Sequence, residues 1–267
     1  MTEAVLPQRI VTTPPPLAYR LYSVWYRHIR VYCKHLISNG FPPFVEPLFF
    51  LAGVGLGLGH YVGLIDGTPY LLFLASGMIA PSSMFTAAFE CTFGTFIRLE
   101  FDKAYDGMVS ASITVTDLFV GEMLFVGTKG FFFTLAVMSV FTVFGLVPSY
   151  FAILTPLVGF FAGMMFGALS LFVTSFVKTI NHFNFFLTGC LTPMFFFSGI
   201  VFPITNLPEW IQWVSEVFPL THSARLIRAC CLRQFSSLLF FDILFMVAFT
   251  IVFGYLAVSR LEKRLIQ

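Results

Sequence analysis

Residues 150–177 read YFAILTPLVGFFAGMMFGALSLFVTSFV, without one charged side chain. A helix rising 1.5 Å per residue needs roughly 20 apolar residues to cross a hydrocarbon layer about 30 Å thick, and this run exceeds that. Lipid offers no water to backbone N–H and C=O groups, so such a run closes its hydrogen bonds internally as a helix. Five further apolar runs, at 43–62, 70–96, 119–146, 183–202 and 238–258, are set apart by charged and turn residues. The expected fold is therefore an all-α membrane protein with six transmembrane helices. Composition agrees: 58% of the 267 residues are hydrophobic, 37 are Phe and only 10% are charged, against about 25% charged in soluble domains.

An even number of spans puts both termini on one side. Arg9, Arg20, Arg27, Arg30, Lys34, Arg98, Lys103, Lys178, Arg260, Lys263 and Arg264 fall on that side, against Arg225, Arg228 and Arg233 opposite. The positive-inside rule then makes it the cytoplasm. Residues 1–16, with a triple proline at 14–16, read as a disordered cytoplasmic tail, and 259–267 as a second cytoplasmic tail.

Between the first tail and the transmembrane domain (43–258) lies an amphipathic segment, 17–38. Leu21, Trp25, Ile29, Tyr32 and Leu36 recur at helical spacing, with Arg20, Arg27, Arg30 and Lys34 on the other side. This is the pattern of a helix lying in the membrane interface, although a solvent-facing bundle helix shows it too. At the opposite end, Asn206 followed by Glu209 predicts an N-cap with its box partner. A short helix carrying Trp210 and Trp213 follows, broken at Pro219, and a second starts near Thr221 and carries Arg225 and Arg228. Neither is long enough to cross, so two short helices dipping into the outer leaflet are expected.

Ionisable residues in the spans are costly unless paired or hydrated. Glu46, Glu90, Glu122 and Lys129 are the intramembrane charges, and Glu122 and Lys129 share a helix face seven residues apart. A carboxylate partner for Lys129 is expected, either as a structural pair or near a substrate path. Gly159, Gly163 and Gly167 repeat every four residues, and Gly53, Gly55, Gly57 and Gly59 alternate in the first span. Small-residue spacing of four lets helix backbones approach closely. The polar segment 98–117, with Phe101, Tyr105 and Met108 at spacings of four and three, reads as a short amphipathic docking helix or a structured loop.

Several chemistries find no motif here. The Gly127-Thr128-Lys129-Gly130 run lacks the glycine offset and following hydroxyl of a phosphate loop. The five histidines form no H-E-x-x-H, no G-x-S-x-G elbow is present, and the five cysteines include no C-x-x-C and read as small buried hydrophobes. No catalytic, cofactor-binding or metal residue is assigned.

Certain stretches carry a family likeness: Pro43-Phe44-Val45-Glu46-Pro47-Leu48, residues 89–101 from Phe89-Glu90-Cys91 to Leu99-Glu100-Phe101, Asp117 with Gly121-Glu122-Met123, and Lys129-Gly130. So do Thr192-Pro193 to Ser198-Gly199, Phe202-Pro203, Leu207-Pro208 and Pro219-Leu220-Thr221-His222. On these the chain resembles the membrane (permease) subunits of type-2 ABC exporters, most closely the nodulation-factor export permease branch. Ser110-Ala111-Ser112 stands where that family usually has a Thr-Pro pair.

The resemblance implies a homodimer in the bacterial inner membrane, with a separate ATP-binding cassette subunit beneath each copy. The cofactors, ATP and Mg²⁺, would belong to that partner and none to this chain; membrane lipid and an amphiphilic substrate complete the partners, with no nucleic acid. Arg98, Glu100, Phe101, Tyr105 and Asp117 would form the coupling region. Pro203, Trp210, Trp213, Pro219, His222, Arg225 and Arg228 would form a re-entrant exit region. The expected function is outward transport of a lipid-linked glycan, lipo-oligosaccharide or hydrophobic drug, against the alternatives of a non-transporting membrane scaffold or a channel gated by an apolar constriction.

Overall fold

A computed structural model describes residues 15–34, 41, 45, 47–65, 67–111 and 113–265. Among these the chain is almost wholly helical: α1 (Leu17–Cys33), α2 (Pro47–Val62), α3 (Tyr70–Phe101), α4 (Ala104–Ser110), α5 (Val115–Val143), α6 (Tyr150–Thr174), α7 (residues 183–197), α8 (Glu209–Val217), α9 (Pro219–Leu232) and α10 (Leu238–Leu265). A two-residue antiparallel ladder, β1 (Leu64–Ile65) with β2 (Thr68–Pro69), turns α2 into α3. Four helices, α3, α5, α6 and α10, are long and apolar enough to cross a membrane; α2 is apolar but shorter.

α3 is the central helix. The rest of the chain covers 83% of its most apolar stretch, against 17% for α10, whose Phe240, Phe241, Leu244, Ile251 and Tyr255 face outward. An apolar face of that extent needs lipid as its solvent. α5 and α6 are the tightest pair: a Cβ on Gly130 would strike the Gly159 carbonyl, and one on Gly163 would lie 2.8 Å from the Val126 carbonyl. The spacing of four in α6 therefore serves helix packing, as the sequence leads one to expect. In α2 the alternating glycines divide: Gly55 lies against Leu71 and Leu74 of α3 and Gly59 reaches Tyr70 at 4.0 Å, whereas Gly53 and Gly57 meet nothing among the described residues.

Several boundaries differ from the sequence reading for identifiable reasons. α5 starts at Val115 because Thr114 and Asp117 form a complete capping box. α10 continues to Leu265 instead of ending in a tail, because Leu261 is buried and Arg264 donates to Glu100 and to the Thr174 carbonyl. The Asn206 cap is not formed: a 3₁₀ turn occupies Ile204–Asn206 and α8 starts after Pro208. Gln212 instead folds back to donate to the Leu207 carbonyl at 2.7 Å. α1 turns Val24 and His28 into the protein, and Arg20 leaves the expected basic face to pair with Asp117. Residues 35–38 of that segment, the 1–14 part of the tail and Glu46 lie outside the described residues.

Candidate functional site

Among the described residues, four stretches of helix are wound as π turns: Leu51–Leu56 in α2, Glu90–Gly94 and Ile97–Phe101 in α3, and Leu187–Leu191 in α7. Such turns shift the side chains that follow and are common where helices carry function. The two in α3 hold Glu90 and Arg98. One carbonyl there, on Cys91, accepts from the Thr174 hydroxyl of α6 at 2.8 Å, which satisfies that part of the irregular backbone.

These turns aim Glu90 and Arg98 at α5. Arg98 Nη1 lies 2.6 Å from Glu90 Oε1, its Nη2 bonds Glu122 Oε1, and Lys129 Nζ lies 2.7 Å from Glu90 Oε2. Glu122 and Lys129, on one face of α5 but about 10 Å apart along it, are thus joined through α3 and not to each other. Tyr105 of α4 donates its hydroxyl to Glu122 at 2.8 Å and accepts from Arg98 Nε at 3.1 Å. Burial pushes the Tyr105 phenol well above its ordinary range, so the proton it donates is retained. The Thr95 hydroxyl also reaches Glu122. Two cations and two carboxylates are balanced and hydrogen-bonded, the condition under which buried charge is tolerated.

α1 covers this network. Tyr32 lies under Lys129, with the ammonium 4.3 Å from the ring centre, and His28 stacks on Phe125 at 5.2 Å. Burial, reinforced by the Arg98 charge, lowers His28 to about 4, so its ring is neutral at pH 7. Two outlying pairs brace the same end: Arg20 with Asp117, and Arg264 with Glu100 at 2.7 Å. Of the residues expected in the coupling region, Arg98, Tyr105 and Asp117 are therefore turned inward, Glu100 is half-exposed, and Phe101 is 68% exposed.

Midway along α3 an apolar cleft of about 320 Å³ opens between α2, α3 and α7, lined by Pro47, Phe50, Met78, Pro81, Ser82, Phe85, Thr192, Phe195 and Phe196. Phe195 meets Phe50 edge-on at 5.4 Å. At the N-terminal end of α3, a second cavity of about 720 Å³ is walled by Phe73, the turn after α7, and α8 and α9. Gly199, at φ +74°, makes that turn.

In the wall of this cavity, Arg225 bonds Glu216 and lies 3.0 Å from Asp242 of α10, whose carboxylate also lies 2.7 Å from His222 Nδ1. The other His222 nitrogen faces the Glu216 carbonyl at 2.9 Å. Arg228 donates to the Gly199 carbonyl at 2.9 Å and sits 3.9 Å over the Phe73 ring. Pro219 opens α9 at its first turn, where its missing N–H costs nothing. Trp210 and Trp213 project outward from α8, and Pro203 precedes the 3₁₀ turn that leads into it. Asp242 is the member that sequence reading passed over. Its signal was present: a lone carboxylate one turn into a charge-free apolar run, with unexplained arginines upstream.

Among the described residues no three His, Cys, Asp or Glu side chains converge as metal ligands. Comparison with known proteins gives a consistent answer. Residues 19–232 match the family described as ABC-2 type transporter. The chain is 33% identical over 262 residues to Nodulation protein J of Sinorhizobium fredii (strain NBRC 101917 / NGR234), covering 97% of this chain and 99% of that one. It is 34% identical over 225 residues to Nodulation protein J of Rhizobium leguminosarum bv. viciae, covering 84% and 86%. It is 23% identical over 204 residues to Inner membrane transport permease YadH of Escherichia coli (strain K12), covering 76% and 78%. The chain belongs to the ABC-2 type transporter family and is the multi-pass inner-membrane permease of an ABC exporter, in which a separate subunit hydrolyses ATP.

Proposed function

We propose that this permease exports an amphiphile, of the lipo-oligosaccharide, lipid-linked glycan or hydrophobic-drug type, by drawing its apolar portion along the cleft between α2, α3 and α7. The cleft carries the reading: its wall is almost entirely Phe, Met and Pro, a surface that accepts an acyl or isoprenoid chain and repels a hydrated solute. The nodulation-factor branch that the sequence resembles supports lipo-oligosaccharide within that class.

In this reading α2 and α7 complete a set of six crossings, both termini are cytoplasmic, and α8 and α9 enter the outer leaflet without crossing. Two copies pair, each above one ATP-binding cassette subunit. α4, with the exposed Phe101 beside it, is the docking element, and the Glu90–Arg98–Glu122–Lys129 network relays its movement into α3 and α5. Residues 17–38 act as the interface helix and 43–258 as the transmembrane domain.

The test is purification of the permease with its ATPase, followed by mass spectrometry of co-purifying lipid. An acylated or isoprenoid amphiphile should co-purify and be lost in Phe85→Asp. Substrate-stimulated ATPase with a water-soluble cargo alone, unaffected by Phe85→Asp, would sink the reading.

A further inference from the structure

The apolar cleft and the larger cavity are stacked on the same two elements. Phe73 of the cavity and Phe85 of the cleft both lie on α3, about 18 Å apart along its axis. Phe195 of the cleft and Ser198 of the cavity lie within one turn of each other at the end of α7. An amphiphile whose tail occupies the cleft and whose polar end points toward the N-terminal end of α3 has that end beside the cavity.

Resting on the amphiphile reading above, we infer that this cavity seats the polar end of the cargo and is built for an uncharged saccharide instead of a phosphate or other anion. Charge is the first argument. Its ionisable lining consists of Arg225, Arg228, Glu209 and Glu216, which sum to zero. Arg225 is committed to Glu216 and Asp242, and Arg228 to a backbone carbonyl and the Phe73 ring. An entering anion would meet two carboxylates, would find Arg225 already paired, and would find the one partnerless nitrogen of Arg228, its Nε, buried without accessible surface, whereas phosphate recognition relies on an open arginine fork.

What the cavity does offer suits a polyol. Thr205 and Gln234, both exposed, line the wall with polar side chains that can donate and accept. The amide nitrogen of Gln212 is held by the Leu207 carbonyl, which leaves its oxygen to accept, and Glu209 is a further acceptor. Sugar hydroxyls both donate and accept, and so match a mixed set of this kind. Trp213, 77% exposed at the rim, presents a flat aromatic face on which the C–H side of a pyranose packs. The volume lies in the range of small-molecule sites.

The test uses the permease–ATPase complex in nanodiscs and three radiolabelled probes with one chain length: a dodecyl glycoside of a neutral trisaccharide, dodecyl tetra(ethylene glycol) and dodecyl phosphate. The glycoside should bind about tenfold more tightly than the glycol ether, and Trp213→Ala and Thr205→Val should each remove most of that preference without lowering the melting temperature. Equal binding of glycoside and glycol ether, a preference that survives both substitutions, or tighter binding of dodecyl phosphate would overturn the assignment while leaving the cleft standing. If no dodecyl probe binds, the cleft reading fails. The cavity is then judged by the free trisaccharide, whose binding and loss in Trp213→Ala would retain it and whose failure to bind would end both.

Discussion

Lys129 and Glu90 meet at 2.7 Å across the α3–α5 interface, while the second carboxylate oxygen of Glu90 is held by Arg98 at 2.6 Å. Glu90 thus neutralises two cations from two places in the chain. Glu90→Gln should cost about 3–5 kcal/mol, since it leaves both cations buried and underpaired, and Lys129→Met less, since Glu90 keeps Arg98. The double variant should melt closer to wild type than Glu90→Gln alone. Simple additivity of the two losses in nanodisc thermal melts would contradict the pairing.

Phe101 closes α3 and Tyr105 lies in α4, on either side of the break at Asp102 and Lys103, and they play different parts, one exposed and the other fully buried. Phe101→Asp should weaken capture of the ATPase subunit about tenfold and leave the permease's melting unchanged. Tyr105→Phe should preserve capture but remove a donor from Glu122, at about 1–2 kcal/mol, and lower substrate-stimulated ATPase. Pull-down affinity and melting, measured on both variants, check this; loss of capture in Tyr105→Phe with normal capture in Phe101→Asp would reverse the assignment.

His28 makes the packing of α1 sensitive to acid. Its pKa in the folded protein is about 4, below the roughly 6.5 of a free histidine, so between those values the unfolded chain binds a proton that the folded one does not. The stability it supports is complete above about pH 6.5 and is lost as pH falls toward 4, by up to about 3 kcal/mol. Glu90, Glu122 and Arg98 act on the same ring and remain in His28→Gln, which should flatten the melting profile between pH 7 and 5. An unchanged slope would remove His28 from the account.

Arg225 is expected to be structural, because Glu216 of α8 and Asp242 of α10 both hold it. Arg225→Lys should lower the melting temperature before it affects substrate-stimulated ATPase, and Asp242→Asn should cost more, about 3 kcal/mol, by stripping the shared partner from Arg225 and His222. Normal melting with lost stimulation in Arg225→Lys would assign that side chain to direct substrate contact instead.

The apolar runs by themselves determined that this chain is a helical membrane protein and where most of its long helices lie, because helix length and hydrophobicity in lipid are local properties of a segment. The α6 glycine spacing likewise announced a close helix contact. Which charges meet was not legible: Glu122 and Lys129 invited pairing by sharing a face, yet the π turns of α3 rotate Arg98 and Glu90 between them, and such turns carry no sequence periodicity. Tyr105 looked like a surface anchor from its spacing, and only the packing of α4 beneath α3 and α5 turned it inward. Asp242 stood alone in its run until the fold brought His222 and Arg225 to it from 20 and 17 residues away. Pairings of this kind depend on the rotation and register of whole helices against one another, which the tertiary structure alone decides.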